Sequence, residues 1–299
     1  MGKVLIPLWL YVSLLKQAAL AWIKDGAASM GAALAFYSAF SLAPLLLIVI
    51  AIAGFVYGAD EARKAVVNQF AGLIGPVGAD AVGGLLKAAA AAETGGVATA
   101  IGVILLLVGA TTVLVELEDD LDRIWEAPAR KGNGLVSLVR SHLLSFGMIL
   151  GIGFLLIVSL VAGSAIAALN ARWDSSAFGA TGLFIADFGL SVVIFTVLFG
   201  MLYKWLPNVR IAWYEVWIGA LTTAVLFNLG RLAIGVYLGR SATASAYAAA
   251  GSVLVLLLWL YYSAQIFLFG AEFTWVYAKH RRASHQARTA ASAEYQSPG

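Results

Sequence analysis

The stretch Val253-Leu254-Val255-Leu256-Leu257-Leu258-Trp259-Leu260-Tyr261-Tyr262-Ser263-Ala264-Gln265-Ile266-Phe267-Leu268-Phe269-Gly270-Ala271-Glu272-Phe273-Thr274-Trp275-Val276 decides the fold. It is one unbroken apolar run with a single charge, Glu272. A helix crosses the hydrocarbon with about 20 mainly apolar residues. The run does not alternate apolar with polar, so it reads as a spanning helix and not as a barrel strand. Five further segments read the same way: roughly Ala32–Tyr57, Val97–Val115, Leu143–Leu169, Leu183–Tyr203 and Trp213–Leu238. The expected fold class is all-α, a polytopic transmembrane helical bundle of six spanning helices over residues 31–280.

Composition agrees. Of 299 residues, 62% are hydrophobic and 12% charged, and the mean hydropathy is +0.90. Soluble domains run at about 45–50% apolar and about 25% charged, so this chain cannot cover itself with a water-facing surface. The net charge of +3 reflects few charges in total and not a basic face for nucleic acid. With no cysteine, disulfides, thiolate-bound metals and thiol catalysis are excluded. Three scattered histidines, His142, His280 and His285, do not suggest a metal site, and no cofactor is expected.

Lys and Arg set the orientation. With the N-terminus inside, the cytoplasmic face carries thirteen: Lys3, Lys16, Lys24, Arg123, Arg130, Lys131, Arg140, Lys204, Arg210, Lys279, Arg281, Arg282 and Arg288. The outer face carries five: Arg63, Lys64, Lys87, Arg172 and Arg240. Both termini are therefore expected in the cytoplasm. Residues 1–30 are read as an amphipathic interfacial helix anchored by Trp9, Tyr11 and Trp22, in preference to a cleaved signal or a seventh span. Ile6 removes the myristoylation signal. The first outer loop, 58–96, shows a helical stripe and is expected to form one or two short helices broken at Gly75-Pro76. Residues 281–299 read as a disordered cytoplasmic tail.

Charges at membrane depth are functional candidates. Arg231 sits about 10 Å inside the outer end of the fifth span, at 1.5 Å per residue. Asn228 shares its face, and Asp187 on the fourth span lies at matching depth, as an ion-pair partner or as part of a substrate or ion site. Glu272, with Gln265 one heptad earlier on the same face, reads either as a structural ion pair or as a gating or proton-coupling carboxylate. Lys204, Arg210 and Arg123 lie at its depth. Tyr37, Ser41 and Pro44 mark the first span, where Pro44 leaves the Phe40 carbonyl unbonded and should kink or unwind the helix. Gly147/Gly151 and Gly235/Gly239 match a small-residue packing motif within or between protomers, which makes a homo-oligomer an expectation.

The acidic run from Glu116 to Glu126 holds Glu118, Asp119, Asp122 and Arg123. Its carboxylates spread around a helix and lack calcium-loop spacing, so it reads as a solvated, salt-bridged extension with no metal. The chain shows no nucleophile elbow, P-loop, zinc-protease motif or dinucleotide fingerprint, and no catalytic residue is assigned.

Several of these stretches resemble the YihY/virulence factor BrkB family of bacterial inner-membrane proteins. They are Ala32-Ala33-Leu34-Ala35-Phe36-Tyr37-Ser38-Ala39-Phe40-Ser41-Leu42-Ala43-Pro44-Leu45, Gly109-Ala110-Thr111-Thr112 leading into Glu118-Asp119-Asp120-Leu121-Asp122-Arg123-Ile124-Trp125, and Leu206-Pro207-Asn208-Val209-Arg210. Trp217-Ile218-Gly219-Ala220, Ser245-Ala246-Tyr247 and Ala264-Gln265 through Glu272-Phe273 fit as well. The resemblance covers roughly residues 15–280 and implies six membrane helices. Some relatives carried a ribonuclease BN label that the family is held to have inherited by mistake. Others are linked to serum resistance or to export, including that of lipids. No catalytic residue comes with the resemblance.

Three functions follow as expectations. The first is a non-enzymatic secondary transporter or lipid-handling protein of the inner membrane, with membrane lipids as partners and buried polar residues lining its path. The second is a membrane scaffold for envelope assembly. The third and weakest is a nuclease using Asp119 and Asp122, for which the mixed cytoplasmic charges supply no basic groove for nucleic acid.

Overall fold

A computed structural model describes residues 8–92, 112–128, 177–241 and 248–295, and every regular element among them is a helix. In chain order these are α1 (Leu8–Lys24), α2 (Ala27–Tyr57), α3 (Ala59–Ala92), α4 (residues 112–124), α5 (Ala177–Trp205), α6 (Trp213–Ser241) and α7 (Ala248–Tyr295). Three stretches are long and apolar enough to cross a membrane: Phe188–Trp205, Trp213–Ala233 and Val253–Ser284. They match the fourth, fifth and sixth expected spans. Most of the second span and all of the third lie outside the described residues.

Helix α7 is the hub. Helices α1, α2, α3 and α6 pack on it, and α5 pairs with α6. An aromatic core joins α5, α6 and α7. Phe195 and Phe227 lie 4.5 Å apart, Tyr203 and Phe267 5.2 Å, and Phe227 and Trp259 5.6 Å, all ring centroid to centroid. The outside is equally apolar. On α6, Trp213, Trp217, Leu221, Val225, Leu229 and Leu232 form an exposed stripe, while Val216, Ala220, Ala224 and Phe227 face inward. Water would not tolerate that stripe, whereas hydrocarbon suits it.

One end of the molecule is marked by an aromatic and cationic layer. Trp205, Trp213 and Trp217 contact in series. Lys204 Nζ lies 5.2 Å from the Trp213 ring, Lys279 Nζ 4.5 Å from Trp275, and the Arg281 guanidinium 4.7 Å from Tyr214. Tryptophan and basic residues gather in this way where hydrocarbon meets headgroups.

Four expectations need correction. Residues 59–92 are not short helices broken at Gly75-Pro76 but one continuous helix packed on α2, α6 and α7. Proline removes only one donor, and tertiary packing holds the turns on either side. Helix α2 likewise runs through Pro44 without unwinding. The tail is helical as far as Tyr295. Its Ala, Arg, Gln and Glu residues extend a helix already nucleated in the membrane, so low hydrophobicity does not melt it. Finally, α1 docks on the bundle. Leu14 and Ala18 are fully buried against Phe273, Val276 and Tyr277, Tyr11 bonds Thr222, and Trp22 packs into the main core. Of the three expected anchors, only Trp9 is strongly exposed, at 72%.

Candidate functional site

Many buried polar groups serve as interhelical fastenings. Ser191 Oγ donates to Asn228 Oδ1 at 2.7 Å, and Asn228 Nδ2 donates to the Ala224 carbonyl at 2.9 Å. The Tyr203 hydroxyl donates to the Phe267 carbonyl at 2.7 Å and lies 3.1 Å from Thr223 Oγ1, so α5, α6 and α7 meet at one point. Glycines make room for these groups. A Cβ on Gly219 would fall 1.7 Å from Thr274 Oγ1, one on Gly270 1.8 Å from Thr223 Oγ1, and one on Gly230 1.1 Å from the Tyr262 hydroxyl. Small residues that admit a neighbouring side chain are the usual means of close helix packing in lipid.

A second polar cluster lies at the end marked by the aromatic layer. Asn208, in the loop between α5 and α6, donates its backbone N–H to Asp122 Oδ1 at 2.7 Å. Its Nδ2 donates to Glu118 Oε1 at 2.9 Å and to Asp122 Oδ2 at 2.5 Å. The acidic helix is thus latched to the Leu206–Val209 loop as well as solvated. Glu118 and Asp120 are buried. Burial, followed by repulsion from Glu116, pushes the Asp120 carboxyl up to about 7 against an attraction to Arg123. Lys204 Nζ donates to the Ile211 carbonyl and so turns away from Glu272. Glu215 reaches back to the Ala212 N–H at 3.4 Å, half of a capping box for α6, and lies 3.9 Å from Arg282.

The third cluster holds four of the eight buried polar atoms that lack a hydrogen bond among the described residues; Asp120 Oδ2 and Trp125 Nε1 in the second cluster, and Arg63 Nε and Ser263 Oγ elsewhere, are the others. Helix α1 ends and α2 begins at Gly26, whose φ of 72° is left-handed and suits glycine. Two residues after this corner, α7 meets the chain: Gln265 Nε2 donates to the carbonyls of Ala27 and Ala28 at 3.4 and 3.3 Å. A Cβ on Gly31 would fall 2.2 Å from that nitrogen, so glycine keeps the place open for the amide. Two turns along the same face of α7, Glu272 is fully buried. The charged groups that bear on its carboxyl are Asp25 and then Lys24, both at the corner. Among the described residues neither Glu272 oxygen accepts a hydrogen bond from an N–H or hydroxyl group, but its carboxyl lies against that of Asp25, and Gln265 Oε1 and Trp22 Nε1 are buried without a partner. Buried polar atoms almost always find partners, so a group of exceptions around one corner requires explanation.

The sequence candidates thus separate. Asn228 is a fastening between α5 and α6. Ser41 bonds the Ser38 carbonyl of its own helix at 3.1 Å, and the Tyr37 ring lies against Phe36. Arg231 is half-buried on α6 and engaged by its surroundings. The side chains of Asp187 and Pro44, and the Gly147/Gly151 pair, lie outside the described residues. Glu272 and Gln265 come together with the α1–α2 corner, and not with Lys204, Arg210 or Arg123. Among the described residues no ion pair to Glu272 is formed. Asp25, Asn208 and Tyr203 were not singled out by sequence as site residues, and Trp22 was read only as an interfacial anchor. Their partners lie tens to hundreds of residues away, so only the LPN motif around Asn208 carried a signal.

The family model for "Virulence factor BrkB" matches residues 19–294. A UPF0761 membrane protein of Neisseria meningitidis serogroup B is 28% identical over 254 residues, covering 84% of this chain and 59% of that protein. One of Yersinia enterocolitica is 31% identical over 197 residues, covering 64% of this chain and 62% of the relative. One of Ralstonia nicotianae is 30% identical over 174 residues, covering 58% and 38%. The matches thus span between about two fifths and three fifths of these relatives' lengths. No solved structure matches.

Proposed function

This chain belongs to the Virulence factor BrkB family of membrane proteins, and from that premise we propose that it moves an amphiphilic, anionic lipid-like substrate across the bacterial inner membrane. In this reading it is a multi-pass, six-span secondary transporter with both termini in the cytoplasm. It is not an enzyme, and its partners are membrane lipids, with a second copy of the chain packed through glycine-rich faces.

The observation that carries the reading is a set of buried polar atoms that no N–H or hydroxyl group among the described residues fastens, where α7 meets the α1–α2 corner: both oxygens of Glu272, which face the Asp25 carboxyl, with Gln265 Oε1 and Trp22 Nε1. A bundle that only holds itself together would satisfy them or replace them with apolar groups, because each unpartnered polar group costs about 1–3 kcal/mol. Arg231, half-buried on α6, is the group assigned to an anionic headgroup. The bias of Lys and Arg supports the orientation.

Reconstituted protein in liposomes containing a fluorescent anionic lipid tests this. Transfer between leaflets should exceed that of empty liposomes and fall with Arg231→Gln. No transfer by the wild-type protein defeats the reading. The scaffold alternative draws on the exposed helical extension of α7 beyond Ala278. It predicts a partner cross-linked to that extension and full function after Arg231→Gln.

A further inference from the structure

We propose that Glu272 is a binding site for a monovalent cation, a proton or an alkali-metal ion, loaded from the aqueous side through the Lys24-Asp25-Gly26 corner. This deepens the transport reading and rests on it, since the cation would couple or gate the movement of substrate.

Glu272 lies three residues before Trp275 and seven before Lys279, whose ammonium covers the Trp275 ring. It is therefore about 5 Å below Trp275 and about 10 Å below Lys279 along the helix, at 1.5 Å per residue. There it is wholly buried, with Leu268, Ala271, Phe273 and Thr274 around it in sequence, all buried. A carboxylate in such a place persists only if a counter-charge or a proton neutralises it. The fixed charges do not supply this. The larger influence on it is Asp25, a second carboxyl, and Lys24, which would help, is exposed.

Among the described residues the other elements packed on α7 bring no cation to Glu272. Helix α6 faces this stretch with Gly219, Thr222 and Thr223, and its one acid here, Glu215, turns to Arg282. On α3 the charged residues are exposed apart from Arg63, in its second turn. What remains is a mobile cation shared by two carboxyl groups that cannot both hold negative charge at close range.

The surroundings also fit a loading route. Asp25 is half-exposed at a corner hinged on a left-handed glycine, so one carboxyl meets water while the other is enclosed. Gln265 Oε1 and Trp22 Nε1–H offer an acceptor and a donor without partners on either side of that corner. Among the described residues no third acidic or histidine side chain joins the pair.

The test uses the full chain in lipid nanodiscs and reads the apparent Tm. It is measured across pH 5–9 in choline chloride, and again with sodium replacing choline at equal ionic strength. A component of the pH dependence of Tm that disappears in Glu272→Gln, leaving that of Asp120, assigns a proton. A rise with sodium, absent from Glu272→Gln, assigns the alkali metal. Identical profiles for wild type and Glu272→Gln overturn the proposal. If Glu272→Gln does not fold, Asp25→Asn decides. Its position at the half-exposed corner spares the core, and it should displace the midpoint of the wild-type profile. An unmoved midpoint overturns the site. The outcome is separable from the transport reading, because cation binding without lipid transfer defeats only transport, and transfer without a Glu272-dependent profile defeats only the cation site.

Discussion

Replacing Gly230 with alanine should destabilise the bundle, and should do so only while Tyr262 is present. A methyl group at Gly230 would fall 1.1 Å from the Tyr262 hydroxyl and 2.1 Å from its ring carbon Cζ, so the ring must swing away. That ring lies 6.1 Å from Trp259, centroid to centroid, which in turn packs on Phe227. Overpacking of this kind costs about 1–3 kcal/mol, while alanine in place of glycine within a helix returns roughly 1 kcal/mol. The net expectation is a loss of up to about 2 kcal/mol from these opposing terms. Leucine at position 262 ends short of the clashing atoms. In a Tyr262→Leu background, Gly230→Ala should therefore change sign and stabilise by about 0.5–1 kcal/mol, the helix-propensity gain alone. Thermal unfolding of the four purified proteins in one detergent closes the cycle. Equal losses in both backgrounds would refute the claim that this glycine exists to admit the tyrosine.

Asn208→Ala should remove the two side-chain bonds to Glu118 and Asp122 while the backbone bond remains. We expect a loss of about 1–2 kcal/mol, given roughly 0.5–1.5 kcal/mol for each such bond, and faster hydrogen exchange in the 206–212 loop. Asp120 gives a pH prediction with a definite sign. Its carboxyl titrates at about 7 in the folded chain against 3.8 when unperturbed, so the folded state binds the proton more tightly. Its contribution is fully favourable below 3.8 and is lost as pH rises through about 7. Asp120→Asn should then raise the Tm at pH 8 and leave it nearly unchanged at pH 4. Partial solvation limits the gain to about 1–2 kcal/mol. A drop at pH 8 would mean that the ionised carboxylate makes a favourable contact.

Much of the bundle was legible because lipid imposes one rule on every residue in it. Continuous apolar runs marked α5, α6 and α7 as spans, and Lys and Arg outside them formed a coherent face. The single charge in Val253–Val276 was visible at once as the residue to question. The sequence conceals the identity of the groups opposite. Asp25 and Glu272 are far apart in the chain, and no local pattern pairs them, so Lys204 and Arg210 looked equally suitable by depth. The Asn208–Asp122 latch was hidden for the same reason. Local rules misled where tertiary packing overrules them, as at Pro76 and Pro44, or where a helix already nucleated continues into polar sequence, as beyond Ala278. The tight approaches described are at Gly31, Gly219, Gly230 and Gly270, which no glycine-spaced motif marked; the surroundings of Gly235 and Gly239 lie outside the described residues.

The central claim is that a polar site inside the membrane opens to water at the α1–α2 corner. The chain contains no cysteine, so each one introduced is a unique reporter. Single variants Gln265→Cys, Glu272→Cys and Phe267→Cys, in oriented inner-membrane vesicles, can be exposed to a membrane-impermeant thiol reagent from either side. The account predicts labelling at 265 and 272 from the cytoplasmic side alone and none at 267, within the aromatic core. Equal protection of all three positions would mean a dry bundle and would contradict it.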